Sequence, residues 1–383
     1  MTETAPTAPR RHAAAARWIG HSPVLVWGST PVDRLRRSLA RAGVWDAAPW
    51  TGRPPAGGDT VLMLRGDHVY DDALIAALVR GAPVAVVRGD GQPTAALVGR
   101  EQAAAMAAVL DGNGTMPAGL PLRRGRQLVA AAELARRRGS GPLVMPVTPE
   151  TRRTVEDRLF DQASPAIADA VSLAVWPTPA RALARLVVGL NLSPGHVTAL
   201  NLLLAALTAL LLHAGWLGTG LTVAWLTSLV DAVDGRLARL TLSFSQVRAG
   251  VGHAVALLHP PLWWWGWWSG DGGDALPMLI LVAGSILLPA GEALFRWRAG
   301  FALHEWRRFD SVFRLVAAGR NMLLVPLTLG LIAGMPAMGF WAAAGWQGLT
   351  LMVQALRLGQ ARRTPPESWL CREDWKAPDP APM

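Results

Sequence analysis

The chain has 383 residues, of which 51% are hydrophobic, and it carries a formal net charge of +10. Its single cysteine, Cys371, excludes an intrachain disulfide and gives no reason to expect redox chemistry. Because the apolar residues are concentrated after about residue 180, the basic excess indicates contact with an anionic membrane surface and not with nucleic acid.

The first 20 residues carry Arg10, Arg11 and Arg17 among alanines and prolines, without an apolar run. A secretory signal peptide needs such a run, so none is expected here. Residues 1–20 are therefore predicted to form a disordered basic tail.

Residues 21–150 have the pattern of a small α/β domain, in which short apolar runs alternate with helical segments. The predicted strands cover 24–27, 61–64, 84–87 and 143–147, and the predicted helices cover 31–41 and 71–79. Strands that alternate with helices favour a parallel sheet, because each helix carries the chain back to the starting edge.

Residues 151–195 are predicted to form a linker with amphipathic surface helices. Thr178-Pro179 is typical of a helix start, because proline fits the first turn. Arg181 and Arg185 then share one face, with leucines on another, as expected for a helix lying on the cytoplasmic membrane surface.

Residues 196–360 are predicted to form a membrane domain, followed by a cytoplasmic tail at 361–383. About six apolar stretches are long enough to cross a bilayer, at 197–216, 221–237, 249–268, 276–294, 322–338 and 339–356. The predicted fold class is therefore an α-helical membrane bundle with about six transmembrane helices, preceded by a small N-terminal α/β domain.

The connections between these stretches alternate in charge. Segments 236–248, 296–320 and 357–363 carry arginines, whereas the connections between them carry none. This asymmetry predicts a multi-pass protein of the inner (cytoplasmic) membrane with both termini in the cytoplasm. The tryptophans at the predicted outer end of the third stretch are interpreted as an interfacial aromatic belt; they are Trp263, Trp264, Trp265, Trp267 and Trp268.

The most specific pattern closes the second apolar stretch, which reads DAVDGRLAR from Asp231 to Arg239. On a helix, Asp231, Asp234, Gly235 and Ala238 share one face. Ionisable groups at membrane depth are costly and are retained mainly where they face a cavity or an ion. Two carboxylates beside small residues therefore indicate a metal and a phosphorylated ligand against this helix.

This pattern resembles the first half of the CDP-alcohol phosphotransferase signature, D-x2-D-G-x2-A-R-x8-G-x3-D-x3-D. The resemblance implies transfer of a substituted phosphate from a CDP-linked donor to an alcohol acceptor, with release of CMP, in phospholipid or polyol-phosphate synthesis. It implies that Mg²⁺ or Mn²⁺ binds Asp231 and Asp234. It places Gly235, Ala238 and Arg239 beside the CDP group. A homodimer surrounded by membrane lipids is also implied, and no nucleic acid is expected.

The second half of the signature is absent. Arg248, Gly252 and Ala256 stand where the signature has a glycine and two aspartates, and residues 240–269 contain neither Asp nor Glu. The metal site is therefore expected to be weakened. His253 and His259 are the nearest candidates for a replacement, and His253 is the candidate general base, since histidine titrates near neutral pH.

A further departure precedes the first apolar stretch, where many members of this family have Thr-Pro-Asn and a second Thr three residues later. This chain has Ser193-Pro194-Gly195, followed by Thr198. Gly195 is interpreted either as a loosened helix cap or as a lost contact to the site.

The segment GDHVYD at 66–71 resembles the metal-binding strand end of sugar-nucleotidyltransferase-like domains. Together with the later motif, it resembles a degenerate bifunctional inositol-phosphate cytidylyltransferase/phosphotransferase. The nucleotide loop expected after the first strand is reduced to Gly28-Ser29-Thr30-Pro31, so this domain is interpreted as a remnant fold without activity.

Two hypotheses for the whole chain remain open. It is either a working phosphotransferase with an altered metal site or a catalytically silent membrane protein of the same fold that pairs with an active paralogue. The first half of the signature favours the former, and the loss of the second half favours the latter.

Overall fold

The computed structural model describes residues 15–130, 133–134, 141–164, 167–241 and 246–369, and in the last range it describes side chains from residue 258 onward. The chain divides into two compact units, with the boundary between Gln162 and Ala163.

Among its described residues, the first unit contains a six-stranded sheet and a small two-stranded sheet. The strands are β1 (Ala15–Ile19), β2 (Asp46–Pro49), β3 (Thr60–Arg65), β4 (His68–Tyr70), β5 (Val84–Val87), β6 (Pro93–Gly99), β7 (Leu122–Arg124) and β8 (Val144–Pro146). The large sheet has the order β2-β1-β3-β6-β5-β7, and β4 pairs with β8. The helices are α1 (Pro31–Arg41), α2 (Asp72–Arg80), α3 (Ala103–Leu110) and α4 (Arg152–Ala163), and the last residue of α4 already belongs to the second unit.

The core of this unit lies between the sheet and α3. Val61 and Met63 of β3 and Val98 of β6 are buried against Met106 and Leu110 of α3. Burial of this apolar face excludes water from one side of the sheet and stabilises the unit through the hydrophobic effect.

The predicted tail is wrong for residues 15–19. These residues form β1, which pairs in parallel with both β2 and β3. Its side chains are largely buried, with Ala16 completely so, and an inner strand cannot be a solvated tail. The rest of the predicted tail, residues 1–14, lies outside the described residues.

The predicted strand at 24–27 is also wrong, because this segment is a tight turn. Trp27 and Gly28 have positive φ angles of 49° and 74°, and Val26 forms an isolated bridge with Ser29. The apolar run is explained by burial instead, since the Trp27 ring packs 6.0 Å from that of Phe160.

The large sheet is mixed, which corrects the prediction of a parallel sheet. β1 pairs in parallel with β2 and β3, whereas β6 is antiparallel to both β3 and β5. The short connection 88–92 explains this, because it turns through Gly91 at a φ of 83° and leaves no room for a crossover helix. The predicted strands 61–64 and 84–87 and both predicted helices are confirmed, whereas 143–147 contributes β8 to the small sheet.

The second unit is helical throughout its described regular structure, apart from a short 3₁₀ turn. Its helices are α5 (Ala170–Ala174), α6 (Pro177–Gly189), α7 (Pro194–His213), α8 (Leu217–Leu240), α9 (Gln246–Asp271), α10 (Ala275–Ala299), α11 (Arg308–Val316), α12 (Arg320–Ile332) and α13 (Pro336–Arg363). Three stretches of the described residues are long and apolar enough to cross a membrane: Pro194–His213, Ala275–Ala299 and Arg308–Ile332. These stretches identify the second unit as a membrane domain.

The predicted stretch 322–338 is interrupted in the structure. α12 ends at Ile332, Gly334 has a φ of 69°, and Pro336 begins α13. Gly tolerates a left-handed turn and Pro fits the first turn of a new helix, so the apolar run bends here although its hydropathy is continuous.

The interpretation of the tryptophans as an aromatic belt is wrong for three of them. Trp263, Trp264 and Trp267 are buried in the helical core, where the Trp267 ring stacks on Phe340 at 5.8 Å. Trp265 remains about half exposed. A helix presents successive residues to different faces, so part of a tryptophan run faces the neighbouring helices and not the lipid.

Gly66, at the turn between β3 and β4, offers a test of the first unit. A Cβ there would collide with the Gly20 carbonyl oxygen and lie 2.7 Å from Cδ1 of Trp18. We expect Gly66→Ala to lower the free energy of unfolding by about 1–3 kcal/mol through overpacking. Gly57→Ala is the matched control, because a Cβ there meets nothing within 4 Å. Thermal unfolding of the purified full chain in detergent measures both, and equal melting temperatures would contradict the predicted close packing.

Candidate functional site

The two aspartates of α8 are held by polar side chains of α7. The Thr198 hydroxyl donates to Asp234, 3.1 Å from Oδ1 and 2.9 Å from Oδ2, and Asn201 Nδ2 donates to Asp231 Oδ1 at 3.2 Å. Thr198 and Asn201 lie three residues apart on α7, as the aspartates do on α8, so the helices meet face to face in antiparallel register. The paired spacing orients both carboxylates.

Asp231 also accepts a hydrogen bond from an arginine far along the chain. Arg320, the first residue of α12, donates from Nη2 to Asp231 Oδ2 at 2.7 Å. Its Nη1 lies 2.9 Å from Nε2 of His259 on α9. Four helices therefore converge on Asp231 through side-chain contacts, with a guanidinium at their centre.

The remaining residues of the motif lie on the same helix. Gly235 and Arg239 are exposed and Ala238 is half-buried. Arg236, which the signature leaves unspecified, is buried and donates to Ser164 Oγ at 2.9 Å. The exposed positions are thus those that the resemblance assigns to CDP, whereas the buried arginine braces the helix.

Sequence reasoning missed Arg320 and Asn201. Asn201 is a polar residue inside an apolar stretch, which was a usable signal. Arg320 lies in the basic connection 296–320 and was used only to predict which side of the membrane that connection faces. The predicted base, His253, lies on α9, but its side chain lies outside the described residues.

A cavity of about 410 Å³ adjoins this cluster, and Arg320 is one of its lining residues. Arg296 and Arg314 also line it, together with Glu292 and His304. Burial lowers the pKa of His304 despite the opposing effect of the Glu292 carboxylate, so its imidazole is neutral at neutral pH. The positive charge of the cavity therefore comes from arginines.

Two buried polar atoms in this cavity lack a hydrogen-bond partner among the residues whose side chains are described. They are Nε of Arg320 and Oε1 of Gln347. An unsatisfied buried donor or acceptor costs about 1–3 kcal/mol, so such atoms are usually satisfied by a ligand or by water. Arg320 and Gln347 line the cavity, so each brings an unsatisfied polar atom to its wall.

One side of the cavity is braced by a buried ion pair between α11 and α13. Arg357 donates from Nε and Nη2 to the two carboxylate oxygens of Asp310, both at 2.6 Å, and its guanidinium lies 4.4 Å from the Trp306 ring centre. Asp310 is therefore a buried carboxylate whose charge is satisfied. Arg357 therefore has a structural role, because its guanidinium is held by Asp310 and Trp306.

A divalent cation at the α8 cluster would need several oxygen ligands. The described part of the chain contains no group of three or more His, Cys, Asp or Glu side chains placed to hold a metal ion. Asp231 forms an ion pair with Arg320. Residues 240–269, which would carry the remaining acids of the signature, contain neither Asp nor Glu. Two carboxylates, one of them paired with an arginine, do not fit a centre that needs several oxygen ligands.

The 66–71 segment of the first unit is held together by local bonds. Asp67 accepts from Nε and Nη2 of Arg65 at 3.0 and 2.6 Å, and His68 Nδ1 lies 2.7 Å from Asp67 Oδ1. Asp71 caps α2 by accepting from the Ala73 N–H at 2.9 Å. These contacts account for the polar residues of the segment as turn and cap groups.

Comparison with known proteins agrees with the motif. Residues 191–248, which comprise α7, α8 and the start of α9, match the sequence profile of the family described as CDP-alcohol phosphatidyltransferase. The match covers the helix that carries the motif and its neighbour, and the resemblance predicted from the sequence is confirmed over this segment.

A curated relative extends this similarity. The chain is 32% identical over 173 residues to the bifunctional IPC transferase and DIPP synthase of Rubrobacter xylanophilus. The aligned region covers 45% of this chain and 38% of that protein. The similarity therefore spans well under half the length of the relative.

The Asp310–Arg357 pair predicts a distinctive mutational pattern. We expect Arg357→Met to lower the free energy of unfolding by about 3–5 kcal/mol, because it leaves a carboxylate buried without its cation. The double variant Asp310→Leu with Arg357→Met is expected to recover most of the loss, since it removes both charges. Denaturant unfolding in detergent measures the effect, with the exposed Arg362→Met as control. A double variant as unstable as the single one would contradict this interpretation.

Asp67 predicts a dependence of stability on pH. Burial opposes ionisation of its carboxylate, but hydrogen bonds from His68 and Arg65 outweigh burial and hold the pKa of Asp67 well below its usual value. A carboxyl group whose pKa falls on folding stabilises the protein above its unfolded pKa of about 4, and the contribution disappears as the pH falls towards the folded pKa.

We therefore expect Asp67→Asn to lower the free energy of unfolding by about 2 kcal/mol at pH 7, with a smaller difference from the wild type below pH of about 4. Asp59→Asn is the control, because Asp59 is exposed and removal of its charge is expected to change the stability little. Thermal melts of the full chain between neutral and acidic pH measure both. A difference that is constant over this range would exclude a role for the ionised carboxylate.

Proposed function

We propose that this chain is a membrane transferase that moves a substituted phosphate from a CDP-linked donor to an alcohol acceptor and releases CMP. One observation carries the proposal: Arg320 contacts Asp231 of the family motif and also lines the 410 Å³ cavity. The donor motif and a second binding space therefore adjoin at a single side chain, as a reaction between two substrates requires.

The donor is assigned to the exposed face of α8. Gly235 and Ala238 leave space beside the helix, and the exposed Arg239 is available to a phosphate oxygen. Asp231 and Asp234 are held rigid by α7, which keeps the site in one geometry before the ligand arrives. A weakened Mg²⁺ or Mn²⁺ site on these two aspartates stays a prediction.

The acceptor is assigned to the cavity. Arg296 and Arg314 favour an acceptor that carries negative charge, and the amide oxygen of Gln347 suits a hydroxyl donor. Together these features favour a hydroxylated anion such as a polyol phosphate or a lipid headgroup.

The reaction joins the acceptor oxygen to the phosphorus of the substituted phosphate. The bond from that phosphorus to the bridging oxygen of the donor breaks, and CMP leaves with the electron pair. The acceptor hydroxyl loses its proton, and His253 of α9 is proposed as the group that receives it. Fixed arginine charge next to the transferred group would stabilise the charge that develops on its oxygens.

The membrane arrangement follows from the same proposal. α7, α8, α9, α10, α12 and α13 are taken as about six membrane helices, with both termini in the cytoplasm and the chain in the inner membrane. A homodimer, implied by the family resemblance, also stays a prediction. The first unit is proposed to be a remnant nucleotidyltransferase-like domain without activity, because its Gly-Asp segment is occupied by turn and cap contacts.

A second candidate function rests on the lack of acids. Residues 240–269 hold no Asp or Glu, so the third and fourth carboxylates of the signature are missing. A protein with the family fold and no turnover, acting as a membrane partner of an active paralogue, is consistent with that loss.

An assay of CMP release tests the proposal. We expect the purified full chain in detergent to release CMP from CDP-diacylglycerol or CDP-inositol when offered alcohol or polyol-phosphate acceptors. Asp234→Asn is expected to lower the rate about tenfold or more, because a charge-assisted contact is worth roughly 1.5–3 kcal/mol. Asp271→Asn, an exposed residue at the far end of α9, is the matched control.

The outcomes separate the two candidates. CMP release that is lost in Asp234→Asn and kept in Asp271→Asn supports the transferase and excludes the silent protein. Binding of CDP without CMP release for any donor and acceptor pair supports the silent protein. Absence of both binding and release would overturn the proposed donor site.

A further inference from the structure

We propose that the guanidinium of Arg320 is the resident cation of the donor site, so that the chain binds the diphosphate of a CDP-linked ligand without a divalent metal ion. The inference rests on the proposed function, because it concerns the same donor. Arg320 then supplies the positive charge that a metal ion would supply if the missing carboxylates were present to bind it.

The first step is the number of acids. A metal clamp on a diphosphate needs carboxylates that offset its charge, and the only acids of the motif are Asp231 and Asp234. His259 lies beside the site, but hard cations such as Mg²⁺ prefer oxygen ligands. The chain has therefore lost the ligands that would make a metal the main positive charge.

The second step is the position of the arginine. Arg320 Nη2 lies 2.7 Å from Asp231 Oδ2, which is where a cation bound to that carboxylate would lie. His259 Nε2, 2.9 Å from Arg320 Nη1, holds the other side of the guanidinium. A metal on Asp231 Oδ2 would have to displace this ion pair, and two cations at such a distance repel each other.

Arg320 has one N–H donor, at Nε, that no described side chain accepts. Its Nε is buried and has no partner among the side chains that the structure describes, and the same side chain lines the cavity. A guanidinium has five N–H donors, remains charged at every physiological pH and binds phosphate oxygens in a planar, two-point geometry. It therefore has both the charge and the donors for a phosphate.

The surroundings of Arg320 add to this positive potential. Arg320 begins α12, and its N-cap residue Gly319 has no side chain with which to cap the first-turn N–H groups. The first-turn N–H groups of a helix attract anions, and Arg314 lines the same cavity. An anion at Arg320 would thus meet several fixed donors. The carboxylates near it each have an arginine partner: Asp231 pairs with Arg320, Glu292 with Arg296 and Asp310 with Arg357.

The experiment measures binding of CDP to the purified full chain in detergent, by calorimetry and by the shift in melting temperature, in excess EDTA and in Mg²⁺. For the wild type we expect CDP to bind in EDTA, with a Kd that changes less than about threefold in Mg²⁺. Arg320→Gln is expected to weaken binding in EDTA by about tenfold or more, which corresponds to about 1.4 kcal/mol. Arg298→Gln, an exposed arginine of α10 outside the cavity lining, is the matched control.

A second variant keeps the test decisive if Arg320→Gln does not fold. Arg320→Lys keeps a cation beside Asp231 but removes the planar two-point geometry of the guanidinium. We expect it to weaken CDP binding in EDTA by about threefold to tenfold, which corresponds to about 0.7–1.4 kcal/mol. If a metal carried the charge, Arg320→Lys would instead bind CDP as the wild type does, and only in Mg²⁺. Titration with Mn²⁺, followed by electron paramagnetic resonance, provides an independent readout.

In that titration we expect Mn²⁺ binding to be weak in the wild type and to strengthen in Arg320→Gln, because Asp231 is then released from its ion pair. CDP binding that requires Mg²⁺ and is unchanged in Arg320→Gln would overturn the inference and leave the proposed donor site intact. Absence of CDP binding by the wild type in both EDTA and Mg²⁺ would overturn the donor site itself.

Discussion

The contact between Asp231 and Arg320 is the constraint on which the rest of the membrane unit depends. A carboxylate within an apolar helix bundle is costly unless a cation and hydrogen-bond donors compensate it. Arg320 supplies the cation, Asn201 adds a donor, and His259 holds the guanidinium from the other side. These requirements fix where α7, α8, α9 and α12 meet. Arg320 also lines the cavity, so the cavity lies beside the point where these helices meet.

The two units use similar residues in different ways. In the first unit, Asp67 is compensated by Arg65 and His68, its neighbours along the chain. In the second unit, Asp231 is compensated by Asn201 and Arg320, which lie 30 and 89 positions away. A partner that is close along the chain stabilises a turn whatever the rest of the fold. A distant partner can reach the charge only when the helices pack around it. Contacts to residues distant along the chain are therefore the ones that place the Asp231 motif in a candidate site.

Much of the fold was predictable because it depends on local sequence. Hydropathy located the helices, and the pattern of apolar runs located β3 and β5. The errors have a common origin in packing. Trp263, Trp264 and Trp267 were interpreted by their place in the chain, but helical geometry turns them into the core. β1 was missed because a short run between arginines and alanines has no strong signal until its neighbours pair with it.

The sequence by itself determined the family motif, because the spacing of Asp231, Asp234, Gly235, Ala238 and Arg239 on one helical face is a local property. It also determined which acids are missing, since identity needs no structure. Only the tertiary structure decided what compensates Asp231, because Arg320 lies on another helix and its charge was equally consistent with a cytoplasmic loop. The physical reason is that a charge within a helix bundle pairs with whichever opposite charge packing brings close to it, and no spacing along the chain records which residue that is.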